Sequence, residues 1–118
     1  MAENEIPVEI AQKLLEKTKQ DRIQWEPLTF DGESFRCNVE DGFSFEISKL
    51  NFVRGESFLL VMRDGSGVEI ARTRGKSDAL HGQDDVFVLL EELYGRARRL
   101  ALQVEKKLDR VSQILDRI

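Results

Sequence analysis

Residues 94–118, YGRARRLALQVEKKLDRVSQILDRI, read as helix without interruption. The pattern reaches back to residue 86, behind Asp84 and Asp85, either of which can cap a helix and favour its positive end. A helix over 86–118 would be about 50 Å long at 1.5 Å per residue. A seven-residue strand spans about 23 Å, and the one other helical segment about 25 Å. Neither can cover such a helix from end to end. A helix tail alone in water needs its own reason to stay folded.

The apolar spacing supplies that reason. Leu90, Leu93, Ala97, Leu100, Val104, Leu108, Val111, Leu115 and Ile118 follow one another at steps of three and four. That is a heptad seam with one stutter at Val104 to Leu108. The first half of the helix is expected to pack on its own domain. The second half is expected to pack on a partner helix through Leu100, Val104, Leu108, Val111, Leu115 and Ile118. A copy of the same chain is the simplest partner, so a homo-oligomer is expected, with a dimer favoured. The competing reading is a helix that folds back, bends at Gly95, where glycine costs about 1 kcal/mol relative to alanine, or lies along the edge of its own domain.

Ahead of that helix the pattern changes. Residues 5–21 read as a first helix, with Asn4 as cap, Pro7 in the first turn and Ile10, Leu14 and either Ala11 or Leu15 as its apolar stripe. Residues 23–75 read as strands. RIQWEPLTF carries Pro27, which confines it to an edge or interrupts it. FRCNV places Phe35, Cys37 and Val39 on one face, and FSFEI does the same with Phe43, Phe45 and Ile47. SFLLVMR is apolar on both faces, as in a central covered strand. VEIARTR follows, with Val68 and Ile70 on one face. Asp31-Gly32, Asp41-Gly42 and Asp64-Gly65 punctuate these runs as turns, and Asp41-Gly42 predicts a two-residue hairpin with positive φ at both positions. GKSDALHGQDD reads as a loop. Helix, antiparallel meander of four to five strands, long helix over 85–118: the class is α+β, in one domain of 118 residues.

Composition removes several functions. A net charge of −4 opposes general affinity for nucleic acid. The acidic start MAENEIPVEI has no apolar core, so it is not a signal peptide, and the longest apolar run, FLLVM, is far short of a membrane span. One cysteine forms no internal disulfide and favours a reducing compartment, so a cytoplasmic location is expected, with no membrane partner.

Candidate chemistry is sparse. Residues 96–118 carry +4, which leaves −8 on the rest, and Arg96, Arg98 and Arg99 form the densest basic run. These three are the candidate contacts to an anion or nucleic acid. Glu105, Asp109 and Asp116 dilute the run, and a solvated helix face explains it equally. His81, with Asp78, Asp84 and Asp85 nearby, has no recognised ligand spacing, and a polar loop before a helix cap accounts for the same residues. Cys37 alternates with Phe35 and Val39 as a buried small residue rather than a nucleophile. Trp25 beside Pro27 closes one end of a core more readily than it forms a binding surface. No carboxylate pair or nucleophile–base set stands out. No catalytic residue, metal or cofactor is expected, and the chain reads as a non-enzyme.

LLEKTKQDRIQWEPL and LYGRARRLALQVEKKLDRVSQIL resemble the two ends of small uncharacterised bacterial and phage-related helix–sheet–helix proteins, through Leu14, Leu15, Thr18, Ile23, Trp25, Tyr94, Ala97 and Arg98. The resemblance implies that shape and a bacterial or phage-related origin, and no activity. In type the chain is also similar to small acidic secretion chaperones, although those interleave a helix among their strands. The expectation that emerges is a bacterial interaction domain that self-associates through its C-terminal helix and binds a partner by its assembled surface. The alternatives are a nucleic-acid binder using the basic helix face, and a chaperone-like or antitoxin-like protein with a heterologous protein partner.

Overall fold

The computed structural model describes residues 4–28, 33–52, 55–78 and 82–118. Helix α1 spans Val8–Lys19. Strands β1 (Trp25–Pro27), β2 (Ser34–Asn38), β3 (Ser44–Phe52), β4 (Gly55–Arg63), β5 (Glu69–Asp78) and β6 (Gly82–Gln83) follow, then helices α2 (Asp85–Ala101) and α3 (Val104–Asp116). The strands lie in sequence order, each antiparallel to the next, so the sheet is a meander. The fold is α+β, as the patterning predicts.

Register aligns the apolar positions into rows. Trp25, Cys37, Phe45, Met62 and Ala71 lie opposite one another from β1 to β5, and Phe35, Ile47, Leu60 and Thr73 form the next row. This face carries both α1 and α2. Ala11, Leu14, Leu15 and Thr18 of α1 and Phe87, Leu90, Leu93, Tyr94 and Ala97 of α2 join it in one core. Phe58 stacks tilted against Phe87 and Tyr94, with centroids 5.3 and 5.1 Å apart. The Trp25 indole finds a polar partner within this core, donating to Thr18 Oγ1 at 3.1 Å.

The start of α2 is set by two local features. Asp84 Oδ1 accepts from the Phe87 amide at 2.6 Å as an N-cap. Gly75 in β5 lets the helix backbone sit directly on the sheet, since a Cβ there would fall 2.5 Å from Phe87 Cα. Lys19 reaches across from α1 to Glu92 at 3.1 Å, and that hydrogen bond holds the Glu92 carboxyl below the usual carboxylate range.

Several expectations are corrected. Helix α1 starts at Val8 rather than residue 5, with Pro7 in the cap position and no side-chain cap. Residues 4–6 instead run beside β5: the Arg72 amide donates to the Asn4 carbonyl at 2.9 Å, and the Ile6 amide donates to Thr73 Oγ1 at 3.0 Å. The C-terminal end of α1 closes on Asp21 in the left-handed region, with the Arg22 amide donating to the Lys17 carbonyl. Asp41 and Gly42 both have positive φ as predicted, but Val39 donates to the Phe43 carbonyl, so the connection is longer than two residues. Phe43 falls just before β3 and stays partly exposed. Residues 75–78, read as loop, extend β5, and Gly82–Gln83 form β6. The turn expected at Asp31-Gly32 lies outside the described residues. β4 is central, and on its second apolar side Val61 is buried between its cross-strand neighbours Glu46, which pairs with Arg63, and Arg72, which pairs with Glu69.

The largest correction concerns the C-terminal helix. It is two helices, and the break is not at Gly95, which stays inside α2. Leu102 ends α2, Gln103 takes φ 54° and ψ 45°, and α3 begins at Val104. The Gln103 amide donates to the Leu100 carbonyl, as at a left-handed helix end. The steps that read as a heptad stutter at Val104 to Leu108 therefore sit next to a break in the backbone.

Candidate interaction site

Helix α3 holds 13 residues, and none is buried. At 100° per residue, Val104, Leu108, Val111, Leu115 and Ile118 fall within an arc of roughly 80°, with Ile114 at its margin. Val104 is half-buried at the elbow. Beyond it, Leu108 is 57% exposed, Val111 51%, Leu115 62% and Ile118 95%. Solvated apolar side chains aligned on one helix face are the pattern of an interaction surface rather than of scattered surface residues.

The elbow determines where this stripe points. Glu105 and Lys106 turn toward the body and, with Asp21, Ile23, Trp25 and Arg99, line an open cleft of about 610 Å³. On the helical wheel the midpoint of Glu105 and Lys106 lies roughly 150° from the centre of the apolar stripe. Glu105 and Lys106 thus lie across the helix from the stripe, while Val104 at its head is half-buried and Leu108, Val111 and Leu115 beyond it are exposed. Arg99 reinforces the bend by pairing with Glu105 across the elbow.

The residues nominated for the interface thus divide. Val104, Leu108, Val111 and Leu115 share one face of α3, and Ile118 follows just beyond its C-cap, Arg117. Leu100 does not join them: it lies on α2, before the break, half-buried against the core. Ile114, absent from the heptad count, is 42% exposed and extends the stripe. Its position three residues after Val111 and four before Ile118 is the signal that places it there.

The candidate anion site does not converge. Arg96 pairs with Glu92 at 3.5 Å, and Arg99 with Glu105. Arg98 lies roughly 160° around α2 from Arg96, so the three cations do not share a face. Cys37 is fully buried in the core, and burial pushes its thiol up to about 12. Asp84 is occupied as a helix cap, Asp85 sits exposed in the first turn of α2, and His81 lies outside the described residues. Among the described residues no cluster of histidine, cysteine or acidic side chains forms a metal site, and no helix is long and apolar enough to cross a membrane. No family model, curated protein or solved structure matches the chain.

Proposed function

We propose that the protein is a non-enzymatic interaction domain that self-associates through α3 and presents its helix–sheet bodies as an assembly. One observation carries this reading: beyond the elbow at Gln103 the apolar stripe of α3 is left exposed, with Leu108, Val111 and Leu115 each more than half accessible. A short amphipathic helix with no apolar partner is marginal in water, so burial of the stripe would also stabilise the helix itself. The contact is small, so the association is expected to be reversible and to respond to concentration.

Light scattering over a hundredfold concentration range tests the proposal. The expected result is a mass above 13.6 kDa that falls on dilution. Leu108→Asp with Val111→Asp places two charges in the desolvated seam and is expected to hold the protein monomeric at every concentration. An unchanged mass for the double variant removes the interface, and a wild-type chain that is monomeric throughout removes self-association.

A further inference from the structure

The face of the sheet turned away from α1 and α2 is polar and carries a surplus of cations. Ser57, Leu59, Val61 and Arg63 of β4 lie on it, alternating with the core residues Phe58 and Leu60. Register places Lys76, Arg74, Arg72 and Glu69 of β5 opposite those four in turn. Across β1 to β3 the same face carries Glu26, Arg36 and Glu46. Each glutamate holds one arginine: Glu26 holds Arg36 at 3.6 Å, Glu46 holds Arg63 at 3.0 Å, and Glu69 holds Arg72 at 2.5 Å. Arg74 and Lys76 are left over. Both are exposed, and neither enters an ion pair among the described residues.

Beside these two cations stands a hydroxyl with nothing to bond. Ser57 is fully buried, and its Oγ has no hydrogen-bond partner among the described residues. Arg36 Nε is in the same position, and it lies on the same face. Buried polar atoms without a partner are rare in folded proteins. Leu50 and Lys76 flank Ser57 across the neighbouring strands.

We infer that this part of the face binds a phosphate group, with Lys76 and Arg74 supplying the charge and the Ser57 hydroxyl donating to one phosphate oxygen. The inference is independent of self-association through α3. Directly opposed residues of an antiparallel pair have Cβ atoms roughly 4.5–5.5 Å apart, and diagonal ones about 7–8 Å, so one anion lies within reach of all three side chains. Donors of three shapes converging from two strands suit a tetrahedral oxyanion. A planar carboxylate would be satisfied by the arginine fork alone and would leave the hydroxyl unused. The Lys76 ammonium rides on a flexible four-carbon stem, and its rotation admits the ligand to Ser57.

Amide NMR of the isotope-labelled full chain, titrated with inorganic phosphate at constant low ionic strength, tests the site. Low salt matters because exposed cations are screened. The expected result is a saturable shift at Ser57 and Lys76, much weaker with acetate. Ser57→Ala is expected to weaken phosphate binding about tenfold, as loss of one hydrogen bond to a charged group does. Its urea midpoint is expected to stay level or rise, because a buried hydroxyl without a partner is gone. Lys76→Gln, at an exposed position, is expected to weaken binding by about tenfold as well, with an unchanged midpoint. Tighter binding of a nucleoside monophosphate than of phosphate identifies a phosphate ester as the source, and equal affinity identifies the free ion. Absence of a saturable shift, an equal response to acetate, or undiminished affinity in Ser57→Ala overturns the site.

Discussion

Gly75 shows how much one missing side chain decides. The α2 backbone sits so close to β5 that an added methyl would meet Phe87 Cα at 2.5 Å and its amide nitrogen at 2.6 Å, atoms that cannot rotate away. Gly75→Ala is therefore expected to lose about 1–3 kcal/mol of stability, as overpacked cores do, measured by urea unfolding. Cys37 gives a second test at this scale, through pH. Its thiol ionises near 9 in the unfolded chain and at about 12 in the fold, because burial opposes the thiolate. Between these values the unfolded state binds fewer protons, so stability falls as pH rises from 9 towards 12 and is unaffected by this group below 9. Cys37→Ala is expected to remove that part of the alkaline loss, read as a shallower decline of the urea midpoint than in the wild type. Below pH 8 the buried thiol is also expected to resist alkylation until the protein unfolds.

Among the elements, legibility followed the reach of the signal. The alternation Phe35, Cys37 and Phe45, Ile47 named the covered face correctly, because a period of two leaves only one way to bury both pairs. The pair Asp84 and Asp85 marked the start of α2, because a cap is a local hydrogen bond within four residues, and the structure assigns that bond to Asp84. The end of α2 was not legible. Leu102 and Gln103 are ordinary helix formers, with no glycine or proline at the bend, and the apolar steps of three and four continue across it with only a stutter just beyond. Periodicity reports which side of a helix is apolar, and it is blind to a single torsion that reverses where that side points. Gln103 bears the strain of that torsion, about 1–2 kcal/mol for a residue with a Cβ. Gln103→Ile, stiff at its branched Cβ, is expected to favour continuous helix through residues 101–104 and to lengthen the particle beyond 59 Å in small-angle scattering of the Leu108→Asp, Val111→Asp background. Gln103→Gly is expected to keep the elbow and its dimensions. The common face expected of Leu108, Val111 and Leu115 depends only on the period within α3, whereas the expectation that Leu100 shares it depended on the helix being continuous.

For the whole molecule, a radius of gyration of 16.0 Å exceeds the roughly 13 Å of a compact chain this long. The excess belongs to α3, which stands off the body. A monomeric Leu108→Asp, Val111→Asp variant is expected to scatter with about that 16 Å radius, and the wild type with a larger one that shrinks on dilution. The margins of the sheet bear on how copies can meet. On one side the strand Trp25–Pro27 is three residues long and ends in a residue without an amide hydrogen. On the other, residues 4–6 lie along the middle of β5 and Gly82–Gln83 along its end. Among the described residues a neighbouring molecule therefore finds no long run of open strand to extend, which disfavours the edge-to-edge pairing by which exposed sheets aggregate. What these margins could offer a second copy is side chain rather than main chain, so the proposed self-association would fall to the exposed face of α3 and close on itself there.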